Sequence, residues 1–140
     1  MLVVLDTNVL VSGLLNGSGS PGKILDLALE DRFRIAYDDR IFGEYEDVLV
    51  RPELHLKPSR VEAILAYFEL SGVLIDAHPL PAAGYADPDD LPFAEVFISS
   101  GADALVSGNL RHFTPLLEQG LAVFSPKEFL ESYFPGSTTI

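Results

Sequence analysis

Five short apolar runs rich in β-branched residues recur along the chain: LVVL, FRIAY, GVLIDA, DALVS and LAVFS. Runs this short and continuous suit strands buried on both faces. Longer helical patterns lie between them, two with apparent start signals: Ser59 with Glu62 in PSRVEAILAYFEL, and Ser125 with Pro126 and Glu128 in SPKEFLESYF, both shaped like capping boxes. The alternation predicts a three-layer α/β/α sandwich around a central, mainly parallel sheet. In open parallel sheets ligands bind beyond the carboxyl ends of the strands, so the residues just after each run carry the functional interest.

The 140 residues are enough for one domain with a single sizeable core, expected over residues 1–135, with 136–140 as a loose tail. Hydrophobic content of 48% and charged content of 21% are those of a soluble globular chain, and no run reaches the roughly 18 apolar residues of a membrane span. The N-terminus meets Asp6 almost at once and reads as a first strand, not a secretion signal. The absence of cysteine excludes disulfides, thiolate metal sites and thiol nucleophiles, and suits the cytoplasm. A net charge of −12 argues against a broad basic face that grips nucleic acid. It is equally the charge of a chain that gathers carboxylates around divalent cations, which reverse the local sign.

GSGSPGKI, residues 17–24, resembles a phosphate-binding loop until its last position, where Ile24 replaces the hydroxyl residue that would hold Mg²⁺. Eleven residues, Asp6 to Asn16, also separate it from LVVL, whereas such a loop leaves its strand directly. The segment reads instead as a flexible lead into a helix, with Ser20 as N-cap and Pro21 at the first helical position.

Four residues converge on one sheet edge in this reading. Asp6 closes LVVL and Asn109 follows DALVS after a Ser-Gly turn. In DRIFGEYEDVLVRP, Ile41, Tyr45, Val48 and Leu49 form a buried stripe; at about 100° per residue Glu44 sits roughly 60° from Ile41, on its shoulder, while Glu46 and Asp47 turn outward. Asp90 precedes the apolar helix that begins near Pro92. Taken singly, Asp90 reads as a helix N-cap, Asp6 as a strand-end turn residue and Glu44 as a solvated acid. Together they are four oxygen donors at one edge, a set that suits Mg²⁺ or Mn²⁺.

VLDTNVLVSGLL, GEYEDVLVRPEL, DPDDLPFAEVF and ALVSGNLRHFTPL, in this order and followed by LAVFSPKEFLESY, resemble the PIN-domain nucleases, particularly the bacterial toxins of toxin-antitoxin pairs. The resemblance runs from Leu2 to about Phe134. It implies a PIN-like sandwich and Mg²⁺- or Mn²⁺-dependent cleavage of RNA to 5′-phosphate and 3′-hydroxyl products. The family's acids fall on Asp6, Glu44 and Asp90, with a neighbouring amide on Asn8. The fourth position, usually Asp, is here Asn109. An amide brings an oxygen but no charge, which weakens a second metal more than the first; Asp87 or Asp89 would compensate, and the sequence does not choose between them.

The expected chemistry is hydrolysis in which Asp6, Glu44, Asp90 and Asn109 hold the metal and no protein nucleophile is needed. Asn8 and Ser107 would orient the carboxylates. Arg111, His112, Arg51 and Lys23 are the candidates for phosphate or base contact. Relatives imply a small antitoxin partner and a homodimer; Phe42, Tyr67 and Phe68 are apolar positions that would either meet a basic partner helix or belong to the core. Two other readings remain open. One is a PIN-like interaction module with little or no activity. The other is an aspartate-based phosphatase, for which Asn8 is a poor replacement for the acid such enzymes carry two residues after the nucleophile.

Overall fold

A computed structural model describes residues 1–137. Each apolar run contributes a strand: β1 Leu2–Leu5, β2 Arg34–Tyr37, β3 Val73–Leu74, β4 Ala104–Val106 and β5 Val123–Phe124. All neighbours pair in parallel, in the order β3-β2-β1-β4-β5. The central strands are apolar without alternation because both faces are covered, and Val3, Val4, Leu5, Ala104, Leu105 and Val106 have no exposed surface. β3 is shorter than GVLIDA suggests. It lies at the sheet edge, where Leu74 is exposed and nothing requires a longer ladder.

Among the described residues the connections hold seven α-helices: α1 Thr7–Leu15, α2 Ser20–Leu29, α3 Asp39–Leu49, α4 Pro58–Ser71, α5 Leu91–Ser100, α6 Thr114–Glu118 and α7 Pro126–Tyr133. α2 packs against α1 and α7, and α3 against α4 and α5, giving the helix-sheet-helix sandwich. The capping box of α7 forms as read, with Glu128 N donating to Ser125 Oγ at 3.2 Å and Ser125 N to Glu128 Oε1 at 2.9 Å. The box expected at Ser59 does not. α4 opens two residues earlier than that cap implies, at Pro58, whose fixed φ suits a first helical position, and Lys57 provides no side-chain cap. Similarly, Ser20 is already helical and Gly19 stands at the cap of α2.

Two further expectations change. Phe68 is fully in the core, and Phe42 and Tyr67 are half-buried against it, so none of the three is a free apolar patch. Of the tail expected to be loose, Gly136 and Ser137 sit in a 3-10 turn, Pro135–Ser137, and 138–140 lie outside the described residues. No helix among the described residues is long and apolar enough to cross a membrane.

The strand order fixes where a site can form. From β1 the chain proceeds to β2 on one side, while β4 occupies the other, so the connections leave the carboxyl ends of β1 and β4 in opposite directions. That divergence opens a crevice. Asp6 and Ser107 are the first residues beyond those two ends.

Candidate active site

Asp6 extends the ladder, its N–H donating to Val106 O at 2.9 Å, and its carboxylate is buried in the crevice. Although it stands at the cap of α1, it makes no side-chain cap bond. Its Oδ2 accepts from Ser107 Oγ at 2.8 Å and from Asn8 Nδ2 at 3.2 Å. Ser107, fully buried, also accepts from Asn109 N at 2.9 Å. Asn8 Oδ1 accepts from Gly108 N at 2.9 Å, and a Cβ at Gly108 would lie 3.3 Å from that oxygen, so glycine lets the β4 loop close on α1. Asn8 and Ser107 thus both fix one carboxylate across the β1–β4 junction.

Glu44 is half-buried on α3, and Thr7 Oγ1 donates to its Oε2. Thr7, unremarkable in the sequence, is buried and is the group that joins α3 to the head of α1. Beside Glu44, the wholly buried Tyr45 donates its hydroxyl to Leu5 O at 2.5 Å. This bond pins α3 to the end of β1 and sets the height at which Glu44 enters the crevice.

Asp90 departs from the simple cap. A 3-10 turn, Pro88–Asp90, precedes α5 and is capped by Asp87, whose Oδ1 accepts from Asp89 N at 2.9 Å. The Asp90 backbone is already right-handed helical and its carboxylate caps nothing. It is buried and turned toward His112, whose Nδ1 lies 3.3 Å from Oδ1 and 3.0 Å from Oδ2. Only the Oδ1 approach has hydrogen-bond geometry, which leaves Oδ2 buried without a hydrogen-bond partner. Such an atom is costly in a folded protein and calls for an explanation.

Asn109 is exposed and its Nδ2 lies 2.8 Å from His112 Nε2. With the amide donating to Nε2, the ring proton sits on Nδ1, facing Asp90. Asn109 therefore serves His112 and, through it, Asp90. Asp87 is half-buried and Asp89 exposed on the turn before Asp90.

The three buried or half-buried acids hold their protons more tightly than ordinary carboxylates. Burial is the largest cause for each. Asp90 further raises Asp6, Asp6 raises Glu44, and Asp87 and Glu44 raise Asp90, while Ser107, Thr7 and His112 respectively offset part of the effect. Mutual repulsion in a low-dielectric crevice is the condition a divalent cation relieves. Among the described residues no three His, Asp or Glu side chains converge with their atoms already set around a common ion. The donor set nevertheless fits a hard cation: it is all oxygen, it is buried or half-buried, and Asp90 Oδ2 accepts no hydrogen bond there.

The candidate substrate contacts divide. His112 belongs to the site, and Arg111 is exposed next to it on the 3-10 turn Leu110–Phe113. Arg51 lines a groove of about 450 Å³ that runs beside Glu44 and Asp89. Lys23 stands apart: it is half-buried in α2 beside Gly22, which packs on the backbone of Gly17, and it bonds none of the acids. Sequence reasoning missed Arg40. Its guanidinium reaches Glu95 Oε1 at 2.7 Å and Asp38 Oδ2 at 2.7–2.8 Å, clasping α3 to α5. Glu95, buried within an otherwise apolar helix stretch, was the available signal, since a carboxylate there needs a cationic partner.

Residues 2–111 match the sequence model of the PIN domain. The chain belongs to the PIN-domain family, whose members are generally nucleases. It is 32% identical over 145 residues to the uncharacterized protein MJ1680 of Methanocaldococcus jannaschii, an alignment covering 94% of this chain and 90% of that protein. A chain in the crystal structure of VapBC2 from Rickettsia felis bound to a DNA fragment from their promoter has a similar fold, with a TM-score of 0.56 and 19% identity over 89% of this chain and 98% of that one. At that identity the likeness is one of fold.

Proposed function

We propose that this protein is a divalent-metal-dependent endoribonuclease, the toxin of a toxin-antitoxin pair, acting in the cytoplasm as a homodimer. The observation that carries the metal-site reading is the buried Oδ2 of Asp90, which lies beside His112 Nδ1 without accepting a hydrogen bond, in a crevice where Asp6, Glu44 and Asp90 repel one another. Asp6, Glu44 and Asp90 would hold Mg²⁺ or Mn²⁺, with Asp87 or Asp89 nearby. When bound, the ion would acidify a water and screen the phosphate charge. Ser107 and Asn8 hold the Asp6 carboxylate in place, Thr7 holds Glu44, and the Asn109–His112 pair orients Asp90. Arg111, exposed beside His112, and Arg51, in the groove beside Glu44, would meet the phosphates. Family membership supports the nuclease activity, and the fold shared with a chain of the VapBC2 complex supports the toxin role and a small antitoxin partner.

One observation favours an interaction module with reduced activity: Asn109 replaces a charged ligand, and with its Nδ2 on His112 it has only a neutral amide oxygen to offer a metal. A phosphatase is supported less, because the Asn8 side chain is engaged by Asp6 and Gly108. Calorimetric titration of Mn²⁺ into the wild type and Asp6→Asn, with helix content checked, separates these readings. Saturable binding lost in a folded variant, together with Mn²⁺-dependent RNA cleavage, is the expected result. Binding by neither protein, with no cleavage, would sink the nuclease reading.

A further inference from the structure

Gly43 is the fifth residue of α3, at an exposed position in the helix interior. A Cβ built there meets nothing within 4 Å. Its φ is unexceptional, so neither a turn nor a neighbouring side chain requires glycine here. Glycine in a helix interior is less stable than alanine because it frees the unfolded backbone. The fold therefore carries a cost at this position that nothing within it explains.

The position is adjacent to Glu44 and lines the groove of about 450 Å³ together with Arg40, Asp47, Arg51, Asp89 and Phe93. Arg40 is committed to Asp38 and Glu95. The Arg51 guanidinium forms no ion pair among the described residues, although three carboxylates share its groove. A bare patch of helix backbone and an uncommitted guanidinium thus flank one side of the acidic crevice. Glycine is the residue that permits close backbone approach by a ligand, and Arg is suited to bidentate phosphate contact.

We propose that this groove seats the backbone of a single-stranded RNA next to the scissile phosphate, with Gly43 left bare to let the strand lie against α3 and Arg51 holding its neighbouring phosphate. The inference rests on the nuclease reading. Phe93 is buried and offers no stacking face in the groove, so the contact expected there is with sugar and phosphate.

The test combines Gly43→Ala, Gly43→Leu and Arg51→Gln. Binding of a short fluorescein-labelled single-stranded RNA is read with Mn²⁺ present, alongside melting temperature, Mn²⁺ calorimetry and cleavage. Gly43→Ala should melt higher than the wild type. Gly43→Leu should bind RNA at least tenfold more weakly with Mn²⁺ binding unchanged. Arg51→Gln should lose about tenfold in affinity, with a shallower salt dependence, as expected for one charge-assisted contact. If the wild type binds and cleaves RNA while all three variants do so equally well, the groove is not the strand's path and the nuclease reading stands. If the wild type neither binds nor cleaves, both fall together.

Discussion

Asp90 is held in a state that the fold alone does not favour. Its carboxylate is buried, one oxygen accepts no hydrogen bond, and burial followed by nearby acids raises its pKa against the opposing pull of His112. Replacing it with a neutral isostere removes that penalty. Asp90→Asn should raise the melting temperature of the chelator-treated protein at neutral pH, on the order of a few degrees, while weakening Mn²⁺ uptake. An unchanged or lower melting temperature would show that the buried charge costs the fold nothing. Ser107 has the opposite sign. Its hydroxyl gives Asp6 a hydrogen bond and receives one from Asn109, so Ser107→Ala should destabilise by about 1–3 kcal/mol in urea unfolding and raise the Asp6 pKa further.

Elements, not single residues, set the geometry of the crevice. α3 reaches the end of β1 through the Tyr45 hydroxyl on Leu5 O, and Tyr45→Phe should cost about 0.5–1.5 kcal/mol and reduce Mn²⁺ affinity by letting Glu44 drift. A variant with native Mn²⁺ affinity would separate the tether from the site. The strands were legible because continuous β-branched runs have one good interpretation in a chain of alternating patterns, and Asp6 and Asn109 followed from where those runs end. Glu44 followed from helical periodicity. Other features were not legible because they depend on contacts between distant segments. Nothing local distinguishes an Asp90 that caps α5 from one that faces His112, or an Asn109 that meets a cation from one that meets an imidazole. Thr7 carries no local signal of its bond to Glu44, which lies 37 residues away. The misplaced cap of α4 has a simpler cause, since Pro58 competes with Ser59 to start the same helix.

Across the whole molecule the acids act together. Asp6, Glu44 and Asp90 have folded pKa values raised above the ordinary 3.8 to 4.5, so the native state binds more protons than the unfolded chain in the window above about pH 4. Their contribution to stability is therefore greatest below that window and declines as pH rises through the raised values. In chelator, this part of the stability should fall on going from pH 4 upward, and triple replacement by Asn, Gln and Asn should flatten the profile. Added Mn²⁺ should restore stability at neutral pH in the wild type only. A profile identical in wild type and triple variant would refute the coupling. The topology has a further consequence for the cell that makes this protein. Asp6 is synthesised well before its buried hydroxyl partner, Ser107, which lies 101 residues downstream, and Gly108 lies 100 residues beyond Asn8. A nascent chain carrying β1 without β4 cannot assemble the crevice. Copies cut short before Ser107 lack the β1–β4 junction altogether, so the crevice is assembled only after β4 has been synthesised.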